Sequence, residues 1–131
     1  MSFDIFVNAF ENGKRRFYPR TVLVKAFAGF CDMSDPTWWT VSDSFAVIQL
    51  DDAPEVDGFG VNRPPGAGHP LWPALFNVMR ETSSVLYWPG GGPVITDASV
   101  EATLPRDMIK ILGRPKVVGS ITEIAQLIEQ S

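Results

Sequence analysis

Between Trp38 and Asn62 three strand-like runs follow one another with only turn-length connections between them. Trp38 to Val41 and Ser44 to Leu50 meet at Ser42-Asp43, and after Asp51-Asp52-Ala53-Pro54 the run Val56 to Asn62 alternates Phe59 and Val61 with small or polar neighbours. A parallel pair needs a crossover of about a dozen residues, whereas an antiparallel pair closes on as few as about two. The middle of the chain therefore disfavours a purely parallel sheet and favours hairpins.

The flanks supply further strands and the helices. Phe3 to Phe10 reads as a strand with Phe3, Ile5 and Val7 on one face, stopped by Glu11-Asn12-Gly13. A first helix is expected from Pro19, with Leu23, Phe27 and Phe30 as its stripe, ending near Gly29 to Asp32. The second is the clearest: Pro70 and Pro73 fall near its first turn, and Leu71, Leu75, Val78 and Thr82 share one side. Ser84 to Trp88 and Val94 to Thr96 read as strands, with Gly90-Gly91-Gly92-Pro93 as their connection. A third helix runs from Leu104 to a stop at Gly113, with Met108, Ile109 and Leu112 inward, and a fourth starts at the capping-box pattern Ser120-x-x-Glu123. The expected fold is α+β, a mostly antiparallel sheet of about five to six strands covered by about three to four helices, as one domain over residues 1–131.

Charge is distributed unevenly. From Ala26 to Asn62 there is no Lys or Arg but seven acids, Asp32, Asp35, Asp43, Asp51, Asp52, Glu55 and Asp57, so this segment carries −7. The rest holds eleven basic against eight acidic residues, or +3, and Lys14, Arg15, Arg16, Arg20 and Lys25 fall within twelve positions. Such a segment can present an acidic face to a basic protein partner and steer its arrival. Four of the acids sit at turns, where solvation alone would account for them. The net charge of −4 argues against a nucleic-acid binder, since phosphate backbones are held by clustered Lys and Arg.

The chemistry-bearing residues are few. One cysteine, Cys31, excludes an internal disulfide framework, and with His69 as the one histidine no Cys/His zinc site can form within the chain. Gly90-Gly91-Gly92 lacks the Lys-Ser or Lys-Thr and the following helix of a phosphate loop, and Gly58-Phe59-Gly60-Val61-Asn62-Arg63 puts Arg63 where a dinucleotide fingerprint needs glycine. The spacing of Asp51, Asp52, Glu55 and Asp57 does not fit a calcium loop. Nothing in the element order brings Cys31 and His69 together as a nucleophile and its base. No metal, no cofactor and no catalytic residue is assigned, so binding is expected ahead of catalysis. The acidic N-terminal stretch and the lack of an apolar run of about 18 residues point away from a secretory signal and a membrane span, towards a soluble cytoplasmic protein.

The aromatic residues add one more constraint. Trp38 and Trp39 are adjacent, as are Tyr87 and Trp88, and neighbours on a strand point to opposite faces. At least two large rings must leave the main core for a second face, a cleft or an interface.

The opening Ser2-Phe3-Asp4-Ile5-Phe6, the stretch from Gly58 to Pro65 and the strand Ser84-Val85-Leu86-Tyr87-Trp88-Pro89-Gly90 together resemble a group of small bacterial single-domain proteins with similar openings and a similar Tyr-Trp-Pro-Gly segment. The resemblance spans most of the chain; it implies no activity and supplies no catalytic residues.

Three functional expectations follow. The first is a small binding protein of inhibitor or immunity type, in which Asp51, Asp52, Glu55 and Asp57, with Trp38 and Trp39, meet a basic partner. The second is a small-molecule site or minor enzyme built from Asn62, Arg63, His69, Tyr87 and Trp88. The third is a homodimer formed through outward aromatics.

Overall fold

The computed structural model describes residues 4–129. In chain order its elements are β1 (Ile5–Glu11), β2 (Lys14–Arg15), β3 (Tyr18–Pro19), α1 (Thr21–Phe27), β4 (Cys31–Asp35), β5 (Trp38–Val41), β6 (Val47–Gln49), β7 (Glu55–Val56) and β8 (Gly58–Asn62). There follow α2 (Leu71–Thr82), β9 (Ser84–Trp88), β10 (Gly91–Ile95), a 3-10 helix (Ala98–Thr103), α3 (Arg106–Leu112), β11 (Lys116–Val117) and α4 (Ile121–Glu129).

The architecture is mixed α+β with a mostly antiparallel sheet. Among the described residues, the sheet has nine strands in the order β11-β10-β9-β1-β8-β6-β5-β4, with β2 paired to the end of β1. Every neighbouring pair is antiparallel except β10 with β11, and β3 pairs with β7 as a separate ribbon. The sheet is thus larger than the five to six strands expected. The additional strands are short: β4 is Cys-Asp-Met-Ser-Asp, and β2 and β11 have two residues each, as do β3 and β7 of the separate ribbon. Runs of that length have no period to read, and partners elsewhere in the sheet decide them.

Other boundaries move for local reasons. Pro19 lies in β3 instead of opening a helix, and α1 ends at Phe27, because Phe30 leads into β4 and meets the Phe27 ring edge-on at 6.0 Å. The run from Ser44 is a strand only over Val47–Gln49, since Ser44 folds into the preceding turn and its hydroxyl accepts the Ala46 N–H at 3.1 Å. Gly91 and Gly92 belong to β10 itself. The Ser120 hydroxyl caps α4 by accepting the Glu123 N–H at 3.4 Å, while the Glu123 carboxylate accepts from Gly119 in place of Ser120. Phe3 of the first strand lies outside the described residues.

Helices α1, α2 and α4 cover one face of the sheet. Ile5, Val7, Trp39, Ile48, Val61 and Leu86 from the strands meet Leu23, Phe27, Leu71, Trp72, Leu75, Met79, Ile124 and Ile128 from the helices in one buried core. Each such side chain contributes about 1.5–3 kcal/mol by leaving water, so this layer dominates the stability. The 3-10 helix and α3 lie on the opposite face, where Val85, Ile95, Val100 and Leu104 form a small second cluster against Tyr87, Met108 and Ile109. No helix among the described residues is long and apolar enough to cross a membrane.

Candidate functional site

Strand register defines what the second face displays. Trp38 pairs with Gln49, Gln49 with Gly60, Gly60 with Phe6, and Phe6 with Tyr87, so these five residues form one row across β5, β6, β8, β1 and β9. Cross-strand partners share a face, and the covered face takes the alternate residues Trp39, Ile48, Val61 and Ile5. Gly60 makes the row low in its middle: a Cβ there would touch the Phe6 ring at 3.4 Å. At one end Tyr87 stacks on Phe6 at 5.6 Å and donates its hydroxyl to Asn8 Oδ1 at 2.8 Å. Burial, and secondarily the Asp57 charge, hold the Tyr87 hydroxyl above the ordinary tyrosine pKa. At the other end Trp38 is 43% exposed, while Trp39 beside it is 1% exposed.

The antiparallel order also gathers charge at one end of the sheet. β1 leaves this end at Glu11, β8 enters at Gly58, β6 leaves at Gln49, β5 enters at Trp38 and β4 leaves at Asp35. Asp35, Asp51, Asp52 and Glu55 therefore share a rim with Trp38, and all four acids are exposed. Asp35 accepts from the Thr37 N–H and hydroxyl at 3.0 and 3.1 Å, a turn role. Arg20 is the cation closest in the architecture, yet its guanidinium donates to the backbone carbonyls of Asp51 and Pro36 and lies 5.4 Å over the Trp39 ring. Asp51, Asp52 and Glu55 form no ion pair among the described residues.

Beside this acidic rim the β1–β2 hairpin carries a lobe of mixed charge, in which the exposed Glu11 stands opposite Lys14. Lys14 and Arg15 are exposed, the Arg15 guanidinium lies 5.5 Å over the ring of Phe17, and Phe17 is 49% exposed. Arg16 points inward and donates to the Thr82 carbonyl. Asp57 sits at the margin of this lobe at 9% exposure, with a carboxylate oxygen 3.6 Å from Arg15 and its own carbonyl accepting the Ala9 N–H. A nearly buried acid occupied by Arg15 is set apart from the exposed Asp51, Asp52 and Glu55.

The residues considered for a small-molecule site fall in two places. Arg63 and His69 line a groove of about 700 Å³ between the β5–β6 turn and the loop before α2, with Phe45 at its lip, and half-buried Asn62 precedes Arg63 at the end of β8. Tyr87 and Trp88 line a smaller apolar cleft of about 300 Å³ against α3. His69 is committed to structure: one ring nitrogen accepts the Leu71 N–H at 3.0 Å, and the other, 2.7 Å from the Ser42 carbonyl, donates to it. The imidazole thereby caps α2 and ties it to the β5–β6 turn. Cys31 stands on β4, and burial pushes its thiol up to about 11, the opposite of an activated nucleophile.

Reading the sequence alone missed Arg20, Phe17 and Asn8. Arg20 and the residues around Phe17 belong to the basic run, but what they touch is set by strands too short to read. Asn8 is visible only once β1 is placed between β8 and β9. Against protein-family models, curated proteins and solved structures the chain finds no match.

Proposed function

We propose that this chain is a binding protein whose acidic lobe, anchored by Trp38, receives a basic protein partner. One observation carries the reading: a tryptophan left 43% exposed at the sheet rim stands beside carboxylates whose nearest arginine is spent on backbone carbonyls. Trp and Arg are the side chains that most often anchor interfaces, and a cation settling on an indole face gains about 0.5–2 kcal/mol. The unpaired charges of Asp51, Asp52 and Glu55 would steer such a partner and fix its orientation more than they would add affinity. The acids contributing are the exposed ones; Asp57 supports the fold through Arg15.

The test uses intrinsic fluorescence, because Trp39, Trp72 and Trp88 are each 3% exposed or less and Trp38 alone of the four reports on solvent. Titration with a lysine-rich peptide is expected to change the emission saturably, with an effect that weakens as salt rises. A glutamate-rich peptide is expected to leave it unchanged, and Asp51→Lys with Asp52→Lys to abolish the response. Equal responses to both peptides, or none, would reject the reading.

A further inference from the structure

The end of the sheet opposite the acidic rim carries its own unspent groups. β5 enters the rim at Trp38 and leaves the sheet at Val41, and β8 runs away from the rim to Asn62, so the β5–β6 turn and the loop after β8 meet at the far end. Between them lies the groove of about 700 Å³, lined by Asp43 and Phe45 from the turn and by Arg63, Pro64 and Pro65 from the loop. We propose that this groove binds a short zwitterionic peptide with an apolar side chain, its amino end at Asp43 and its carboxylate at Arg63. The site stands apart from the acidic rim and does not rest on the partner assigned to that rim.

The two walls are fixed before a ligand arrives. The His69 ring joins them, donating to the Ser42 carbonyl of the turn at 2.7 Å and accepting the Leu71 N–H of α2 at 3.0 Å, while the Trp72 indole N–H holds the loop through the carbonyls of Pro65 and Gly66 at 3.2 and 3.0 Å. The volume falls within the range of small-ligand sites, about 300–1,000 Å³. Asp43 and Arg63 stand on different walls and do not satisfy each other: among the described residues the ion pairs are Arg15 with Asp57 and Arg114 with Glu101. Asp4, just before β1, and Glu129, where α4 meets the same loop, also leave Arg63 unpaired. A ligand that matches both walls carries a cation and an anion with a body between them, as a peptide with free ends does; a simple anion or cation leaves one wall charge unmatched. Phe45, 86% exposed, and the two prolines offer apolar surface to its side chain. Gly66 and Gly68 have open space where a Cβ would stand, so packing requires glycine at neither, and their absent side chains leave bare backbone along the groove. The N–H groups of Gly66, Ala67 and Gly68 donate to no backbone carbonyl among the described residues, which leaves them for the carbonyls of a bound peptide.

The experiment is titration of the full chain with the dipeptide leucyl-phenylalanine, followed through backbone amide shifts by nuclear magnetic resonance. Saturable shifts centred on residues 43–45 and 63–69 are expected, with a dissociation constant below about 1 mM. Amidating the peptide's carboxyl end, or acetylating its amino end, is expected to weaken binding about three- to fivefold, the range of a partly exposed ion pair. Two variants assign the ends. Arg63→Gln is expected to bind free and amidated peptide equally while still preferring a free amino end. Asp43→Asn, which suits the left-handed backbone there (φ 55), is expected to lose the distinction at the amino end alone. Gly68→Leu is expected to abolish binding by filling the groove, since nothing stands within 4 Å of the added Cβ to disturb the fold; circular dichroism checks that every variant remains folded. No saturable shifts, shifts centred elsewhere, indifference to both end modifications, or folded variants that weaken free and blocked peptides alike would each overturn the proposal. Free phenylalanine binding as tightly as the dipeptide would overturn the assignment of a peptide in favour of an amino acid.

Discussion

The two faces of the sheet are made of the same strands but carry different tasks. On the covered face, Trp39, Ile48, Val61 and Ile5 stand in one row, all within 1% of full burial, beneath α1, α2 and α4. One residue along, the open face aligns Trp38, Gln49, Gly60, Phe6 and Tyr87, of which none is fully buried. Among the described residues, only the β9–β10 side of that face has a lid, the small cluster around Val85, Ile95, Val100 and Leu104. A period of two along each strand is enough to separate a face that holds the fold from a face that can vary without unfolding it. The charged rim, Trp38 included, lies where changes should cost little stability.

The sharpest way to break this comparison is to truncate on the covered face. Trp39→Ala is expected to lower stability by about 3–5 kcal/mol, the usual loss for a buried tryptophan that leaves a cavity. It also removes the surface over which the Arg20 guanidinium lies, loosening the tie between α1 and the carbonyls of Asp51 and Pro36. Urea denaturation followed by circular dichroism measures the shift. A loss below about 1 kcal/mol would mean that the covered face is not what sustains the fold.

How much of this asymmetry is legible before folding depends on element length. The adjacency of Trp38 and Trp39, and of Tyr87 and Trp88, already requires rings on both faces, and the structure places them so. Helix α2 is readable because twelve residues complete three turns with an unbroken stripe, and β9 because Val85, Tyr87 and Trp88 favour strand. β4, β2 and β11 are not, because β4 is mostly polar and β2 and β11 have two residues each, too few for a period to show. Within the candidate site, the exposed acids follow from turn chemistry. The separation of Asp57 from them does not, because its ion-pair partner Arg15 comes from the β1–β2 hairpin, far from it in sequence. The proposed grouping of Asn62, Arg63 and His69 with Tyr87 and Trp88 divides because β9 and β8 are separated by β1, a fact of topology that no local pattern carries.

A smaller effect of opposite sign is expected at Tyr18. Its hydroxyl is buried and has no hydrogen-bond partner among the described residues, with the Asp57 charge nearby. Burial first, and Asp57 second, hold its pKa well above the ordinary 10.0. The neutral form is therefore the one the fold accepts. Its stabilising preference is complete below pH 10, the unfolded value, and is lost progressively as pH climbs above it, because the unfolded chain ionises first. Tyr18→Phe removes the unpaired hydroxyl and this titration together. It is expected to raise stability at neutral pH by about 1 kcal/mol and to move the onset of alkaline unfolding to higher pH. Denaturation midpoints at neutral and alkaline pH check both; a variant less stable than the parent would show that the hydroxyl has a partner.

The least change is expected where the comparison began, at the other tryptophan of the pair. Trp38 keeps 43% of its surface in water and its direct cross-strand neighbour is the exposed Gln49. A cross-strand pair of this kind contributes about 0.2–1 kcal/mol, and truncation at a rim leaves no enclosed cavity. Trp38→Ala should therefore shift the urea midpoint by less than about 1 kcal/mol, several-fold below its neighbour. Binding should move the other way: the same substitution removes the indole on which a partner's cation and apolar surface settle. A large loss of stability from Trp38→Ala would mean that the open face contributes to the fold, and the division of labour between the two faces would fail at the residue on which the binding reading rests.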